Sequence, residues 1–222
     1  MLPLLLLLLR GRKSKKRTIL LTGVSEAGKT ALFSKLVYGK ELESYTSIKE
    51  NSGFYSVASK KLDIPIVDIP GNDRQRLQFW EKFKNEVRGI VFMVDSSKFQ
   101  KDVKEVAELL FVLLTDPAIH GLKLALLVAC NKQDITMSKS AKVIQTQLEK
   151  ELNTLRVTRA ASLDSTDSSG QMNRYFLGKE GKNFEFSQLS PIKVDFVECV
   201  CKSTGDRKAD IRVVEEWIQK IA

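Results

Sequence analysis

Apolar and polar positions alternate along this chain in blocks, short apolar runs followed by longer amphipathic stretches. Residues 18–22 (TILLT) read as a strand, with a helix over 28–37 behind it. Residues 54–57 and 62–67 read as a strand pair joined by the polar turn Ser59-Lys60-Lys61. Residues 89–94 (GIVFMV) and 122–129 are buried strands by their unbroken apolar character. Between them, 101–114 places apolar residues at 103, 106, 110 and 113, which is one helix face. The same spacing recurs at 141, 144, 148, 152 and 155, and again at 211, 214, 218 and 221; a last strand is expected at 194–197. Strands alternating with helices predict an α/β fold, a mainly parallel six-stranded sheet with helices on both faces.

Two regions break the pattern. Residues 1–9 (MLPLLLLLL) are apolar throughout, and Arg10 to Arg17 then holds six basic residues in eight. A bilayer span takes about 20 apolar residues, and a secretory signal puts its positive charge before the apolar core. Two readings stay open: part of a transmembrane segment, or a short hydrophobic foot seated in the interface. Either way, basic residues directly after an apolar stretch favour the cytosolic side for the remainder of the chain. The expected division is 1–17 as a membrane foot with a polybasic juxtamembrane run, and 18–222 as one globular domain with a long insertion around 157–192. Within that insertion Ser162 to Gly170 (SLDSTDSSG) is small and polar, and no strong period appears before Pro191. It is expected to form a long, mobile surface loop.

Charge changes the picture less than its total suggests. The net charge is +9, but without the six basic residues of 10–17 the rest carries +3. Overall charge therefore gives no nucleic-acid reading. Cys130, Cys199 and Cys201 are too few and too clustered for a disulfide framework, and with His120 the only histidine a zinc site lacks ligands.

The chemistry lies in three short segments. Gly23-Val24-Ser25-Glu26-Ala27-Gly28-Lys29-Thr30 is a complete G-x-x-x-x-G-K-[ST] match at a strand–helix junction, a P-loop NTPase signature. Phosphates need many converging donors, and the loop N–H groups and the helix N-terminus supply them. Lys29 adds charge toward the β and γ phosphates, and the Thr30 hydroxyl can ligate Mg²⁺. Asp68-Ile69-Pro70-Gly71 closes a second strand. There Asp68 can hold the metal through a water, and Gly71 can offer its N–H to the γ-phosphate. Asn131-Lys132-Gln133-Asp134 comes after a buried strand. Guanine presents N1–H and an exocyclic amine side by side, which the Asp134 carboxylate can accept together. The Lys132 stem can lie along the base, and the Asn131 amide can tie this loop to the phosphate loop.

GVSEAGKT, DIPG and NKQD, in that order and spacing, resemble the small GTPase superfamily. The hydrophobic foot, the polybasic run, LQFWEKFK, VDSSKFQKDVKEVAELL, ACNKQDITMSKSAKVIQTQLEKELNTLRVTRAAS and FEFSQL are similar to the signal recognition particle receptor beta-subunit family. That resemblance covers essentially 18–222. It implies an endoplasmic-reticulum anchor, a cytosolic GTPase-fold domain that binds GTP and Mg²⁺, and a GTP-dependent complex with the receptor's alpha subunit, with no direct nucleic-acid partner. It also sets Glu198 to Lys202 at the superfamily's S-A-K base loop, where Val200 and Cys201 replace serine and alanine. The Cys201 N–H is then expected to reach the guanine O6. Thr46-Ser47-Ile48 resembles the first switch, with Thr46 or Ser47 as a second hydroxyl for Mg²⁺.

Asn72 stands where Ras-type enzymes place a glutamine that orients the attacking water. It is one methylene shorter, so slow or absent intrinsic hydrolysis is expected. Leu77, Phe79, Trp80 and Phe83 are unusually apolar for the helix after a switch. Two readings stay open: they belong to a surface that the GTP-bound switches, around Tyr45 to Ser52 and Gly71 to Trp80, present to a partner, or Leu77, Trp80 and Phe83 are the helix's core face, as expected for at least half of these residues. The alternative is an ADP-ribosylation-factor-like GTPase cycling in vesicle traffic. Asn72 opposes it, as does Leu2 where an acylatable glycine would come directly after Met1.

Overall fold

The computed structural model describes residues 17–42, 49–163, 175–204 and 208–222. The membrane foot and polybasic run before Arg17, the switch hydroxyls of Thr46 and Ser47, and most of the Ser-rich stretch lie outside them.

Six strands form one sheet: β1 (Thr18–Gly23), β2 (Asn51–Val57), β3 (Leu62–Asp68), β4 (Val87–Asp95), β5 (Ala125–Asn131) and β6 (Lys193–Glu198). Their order is β2-β3-β1-β4-β5-β6, parallel throughout except for β2 against β3. Among the described residues the α-helices are α1 (Lys29–Tyr38), α2 (Asp73–Phe83), α3 (Phe99–Leu114), α4 (Pro117–Leu122), α5 (Ala141–Leu163) and α6 (Arg212–Ile221). β1 and β4 are buried along almost their whole length, as strands covered on both faces must be.

The chirality of parallel crossovers decides which helix covers which face. The chain leaves β1 through α1 toward β3 on one side, then passes from β3 through α2 to β4 on the other. Opposite directions with the same hand put α1 and α2 on opposite faces. Side chains agree: Gly53 lies under Val37 and Phe33 of α1. Tyr55, two residues on and so on the same face of β2, meets Glu215 and Gln219 of α6. Glycine is required at 53 and 89 for the same reason, since a Cβ there would lie 2.5 Å from Val37 and from Ile221 respectively.

The structure departs from expectation in two places. The strand expected from residue 122 begins at Ala125, because Asp116 caps a separate short helix with Pro117 in its first turn. The second half of the insertion is packed, not loose. α5 continues to Leu163, and Leu177, Phe184, Phe186, Leu189 and Ile192 all join the core. Arg156 of α5, itself buried, donates to the carbonyls of Leu177, Lys179 and Lys182. A planar guanidinium with five donors suits such a clamp.

Candidate functional site

Four parallel strands end side by side at Gly23, Asp68, Asp95 and Asn131. The sheet order reverses at β1, whose neighbours are β3 and β4. Open α/β sheets bind ligands in the crevice at such a switch point, beyond the carboxyl ends of the strands.

The phosphate side is shaped by glycines. Gly23 has φ 134 and Gly28 φ 98, which L side chains rarely adopt. A Cβ on Gly23 would lie 2.3 Å from the Met93 carbonyl oxygen, and one on Gly28 would lie 2.2 Å from the Asn131 amide nitrogen. Val24 and Ala27 turn inward, while Ser25 and Glu26 are exposed. α1 begins at Lys29 without a side-chain cap at Gly28. Its first N–H groups thus lie in the conformation that binds anions. Lys29 is buried and donates to the Val24 carbonyl at 2.8 Å. Burial pushes its ammonium down to about 8, against the opposing pull of Asp68.

Asp68 is fully buried. Its Oδ2 accepts from Thr30 Oγ1 (2.8 Å) and Asn51 Nδ2 (3.1 Å), while Oδ1 is buried with no hydrogen-bond partner. Burial raises its carboxyl above the ordinary range, and the two hydrogen bonds hold it back. An orphaned carboxylate oxygen beside a P-loop threonine fits a water-bridged Mg²⁺. Magnesium needs few protein ligands here, since it takes most of its oxygens from phosphate and water. Gly71 closes the cradle: a Cβ there would lie 2.7 Å from Lys29 Nζ and 2.8 Å from Ser25 Cα. Asn72 is exposed, and its carbonyl accepts from the N–H groups of Gln75 and Arg76. It sits at the start of α2, a position that asparagine favours as a helix cap.

The base side is a closed lattice. Asn131, buried, donates from Nδ2 to the Ala27 carbonyl (2.9 Å) and accepts at Oδ1 from the Cys201 N–H (2.9 Å). One amide thus fastens the phosphate loop, the Asn131 loop and the loop after β6. This corrects the expectation for Cys201. Its N–H, expected to reach the base, donates to Asn131 Oδ1, a buried amide oxygen that needs a strong donor and otherwise has the Cys199 thiol at 3.9 Å. A hydrogen bond with Cys199, burial and the neighbouring Asp134 raise the Cys201 thiol well above its usual range. Asp134 itself is half-buried and engaged. Lys132 adopts φ 66 and its Nζ donates to Asp95 Oδ2 at 2.6 Å.

Asp95 was not singled out by the sequence reading. Burial opposes its ionisation, but Lys132 and Ser97 outweigh that and hold its carboxyl below the usual range. It also accepts from the backbone N–H groups of Ser97 and Lys98. The signal was present, an acid closing an apolar strand as Asp68 does. Arg76 was likewise missed: it bonds Glu105 of α3 at 3.0 Å and approaches the Gly71 carbonyl at 3.5 Å. Of the apolar residues on α2, Trp80 is the core residue, donating to Asp116 at 2.9 Å. Phe79 and Phe83 are half-buried under Lys82. Leu77 is 41% exposed, so the core-face reading holds for Trp80 and not for Leu77, which the 3.6-residue period turns to the flank.

Comparison with known proteins places this geometry. The family described as signal recognition particle receptor beta subunit matches residues 14–194. The human signal recognition particle receptor subunit beta is 50% identical over 97% of this chain and 80% of its own length. The structure of the mammalian SRP receptor covers 93% of this chain and all of its own, with TM-score 0.78 and 45% identity. The SRb-GTP/SRX complex from Chaetomium thermophilum, 17% identical, shares the fold at TM-score 0.71 over 92% of this chain and 98% of its own. The chain belongs to the signal recognition particle receptor beta-subunit family.

Proposed function

We propose that this chain is the GTP-binding, membrane-anchored subunit of its receptor. In this reading it docks the alpha subunit at the endoplasmic reticulum when GTP is bound, and serves co-translational protein targeting. Residues 1–17 form the membrane foot and polybasic run, and 18–222 the cytosolic G domain. Gly23 to Thr30 and Gly71 hold the phosphates. Thr30 and, through water, Asp68 hold Mg²⁺, whose part is to neutralise and orient phosphate oxygens. Asn131 and Lys132 form the base pocket, with Asp134 reading guanine. The GTP-bearing complex from Chaetomium thermophilum has the same fold, and the relatives near 50% identity carry the receptor-subunit description.

The observation that carries the nucleotide reading is the convergence of Lys29, the orphaned Asp68 oxygen and the side-chain-free face of Gly71 at one point. Gly71 and α2 are adjacent, so contacts to a γ-phosphate would bias the surface that α2 presents. The ADP-ribosylation-factor-like alternative has support from fold likeness alone, at 15% identity to a small GTPase from Trypanosoma brucei.

The test is capture of the alpha subunit by the full chain loaded with GTP or GDP. At least tenfold better recovery with GTP is expected, and equal recovery with both sinks the docking reading. Competition of GTP by ATP checks Asp134: displacement by ATP at equal concentration would remove guanine specificity.

A further inference from the structure

The sheet has a second end, opposite the nucleotide crevice, and its chemistry is different. The parallel strands begin there, the β2–β3 turn lies there, and α6 ends there. Arg17, Lys60, Lys61, Arg88, Lys123 and Lys220 come from five separate places in the chain and meet at this end. Lys60 crosses to the C-terminal turn of α6, donating to the carbonyls of Gln219 and Ala222. Arg88 donates to the Ile221 carbonyl. The Gln219 and Ile221 carbonyls are neutral, so they position the cations without cancelling them. The acids at this end are few or already committed. Asp116 is taken by Trp80 and Lys84, and Asp195 by Trp217 and Lys193. Asp63 is hydrogen-bonded to Ser56, and Glu86 is exposed. At the crevice, by contrast, acids and cations are interleaved: Lys132 is bonded to Asp95 at 2.6 Å, and the Lys29 charge acts on Asp68.

A second, independent observation comes from chain connectivity. The basic residues of 10–16 run directly into Arg17, and successive Cα atoms are about 3.8 Å apart. Arg17 therefore joins the basic and leucine-rich sequence before it to the folded domain at this end.

We propose that this end of the sheet lies against an anionic phospholipid surface. The six folded cations then act as one lipid-facing patch, and the nucleotide crevice is held about 20 Å away, the rise of six strand residues. The inference rests on the membrane tether proposed above. It adds an orientation: the G domain lies on the bilayer by its strand-start end, so the crevice and α2 face the cytosol.

Amide hydrogen exchange of the full chain tests it, on neutral phosphatidylcholine vesicles and on vesicles with about one fifth phosphatidylserine. On the anionic vesicles, added protection is expected at 57–63, 84–88 and 122–124, lost at high salt, with none at 24–30 or 131–134. The variant K60Q/K61Q/K123Q should raise the lipid concentration for half-protection on the order of a hundredfold, at about fivefold per basic residue. Its nucleotide retention should stay unchanged, which shows that it is folded. Identical exchange on the two vesicles, protection at the crevice end, or protection that survives the triple variant overturns the proposal. So does protection of the same amides by RNA and not by vesicles. A failed tether reads differently, as no association with neutral vesicles at all.

Discussion

The two halves of the candidate nucleotide site are built on different terms. On the base side every group has a partner within the chain. Asn131 bonds Ala27 and Cys201, Lys132 bonds Asp95, and Asp95 caps Ser97 and Lys98. On the phosphate side the groups are in deficit. Asp68 Oδ1 is buried without a hydrogen bond, and Lys29 keeps its head out of water for a single carbonyl. Desolvated polar groups cost free energy until something meets them. The base side is thus a finished scaffold, whereas the phosphate side would gain stability from a ligand that met its unpaired groups.

The largest test of this contrast is Lys29→Ala. It should weaken nucleotide binding a hundredfold or more, measured by equilibrium titration, because it removes a buried charge-assisted contact of roughly 3 kcal/mol. Yet its thermal midpoint without nucleotide should stay level or rise, since an uncompensated buried cation is gone. A large fall in stability would show the cradle to be as self-sufficient as the base side. Next is Asn131→Ala, which should lower unfolding free energy by about 2 kcal/mol even without nucleotide, because a buried carbonyl and a buried N–H lose their partner. Denaturant unfolding measures it, and an unchanged midpoint would dissolve the distinction from the other direction. Asp68→Asn should leave stability level or slightly higher. It should make nucleotide retention nearly indifferent to Mg²⁺, a difference of roughly tenfold in dissociation rate where the parent depends on the metal.

The pH dependence comes from Lys29. Its folded value, about 8, lies below its ordinary 10.5. Between these values the unfolded chain holds more protons, so this group makes stability rise with pH there. Nucleotide affinity runs the other way, since phosphate favours the charged lysine, and should decline above about pH 8. Titration calorimetry in two buffers near pH 8.5 should detect proton uptake on binding, absent in Lys29→Ala. The smallest effect is expected from Asn72→Gln. Single-turnover hydrolysis at saturating Mg²⁺ should rise by no more than a few-fold, because residue 72 serves as the start of α2 and is exposed. A rise of a hundredfold would identify side-chain length as the one missing element.

The base side was also the more legible half. Asn131 was read correctly as the tie to the phosphate loop, because its role follows from one residue type at one strand end. The six strands were legible because β1, β4 and β5 are buried on both faces and so are apolar without a break. What escaped the sequence depends on partners far away in it. Phe184 and Phe186 join the core because Glu149, Asn153 and Arg156 of α5 hold their segment by its backbone. No local period records that. α4 is a six-residue helix, too short to show a repeat, though Asp116-Pro117 marked its start. Cys201 was misjudged because its N–H has two eligible acceptors, and only the folded lattice shows which one takes it.

The fastening of α2 has a consequence for signalling. Arg76 is bonded to Glu105 within α3, and Trp80 to Asp116 just beyond it. A rod riveted at two points to its neighbour resists swinging. On the proposed reading, a γ-phosphate contact at Gly71 would bias α2 first through residues 72–75, before the first rivet, and a partner would sense it nearest the lip of the crevice.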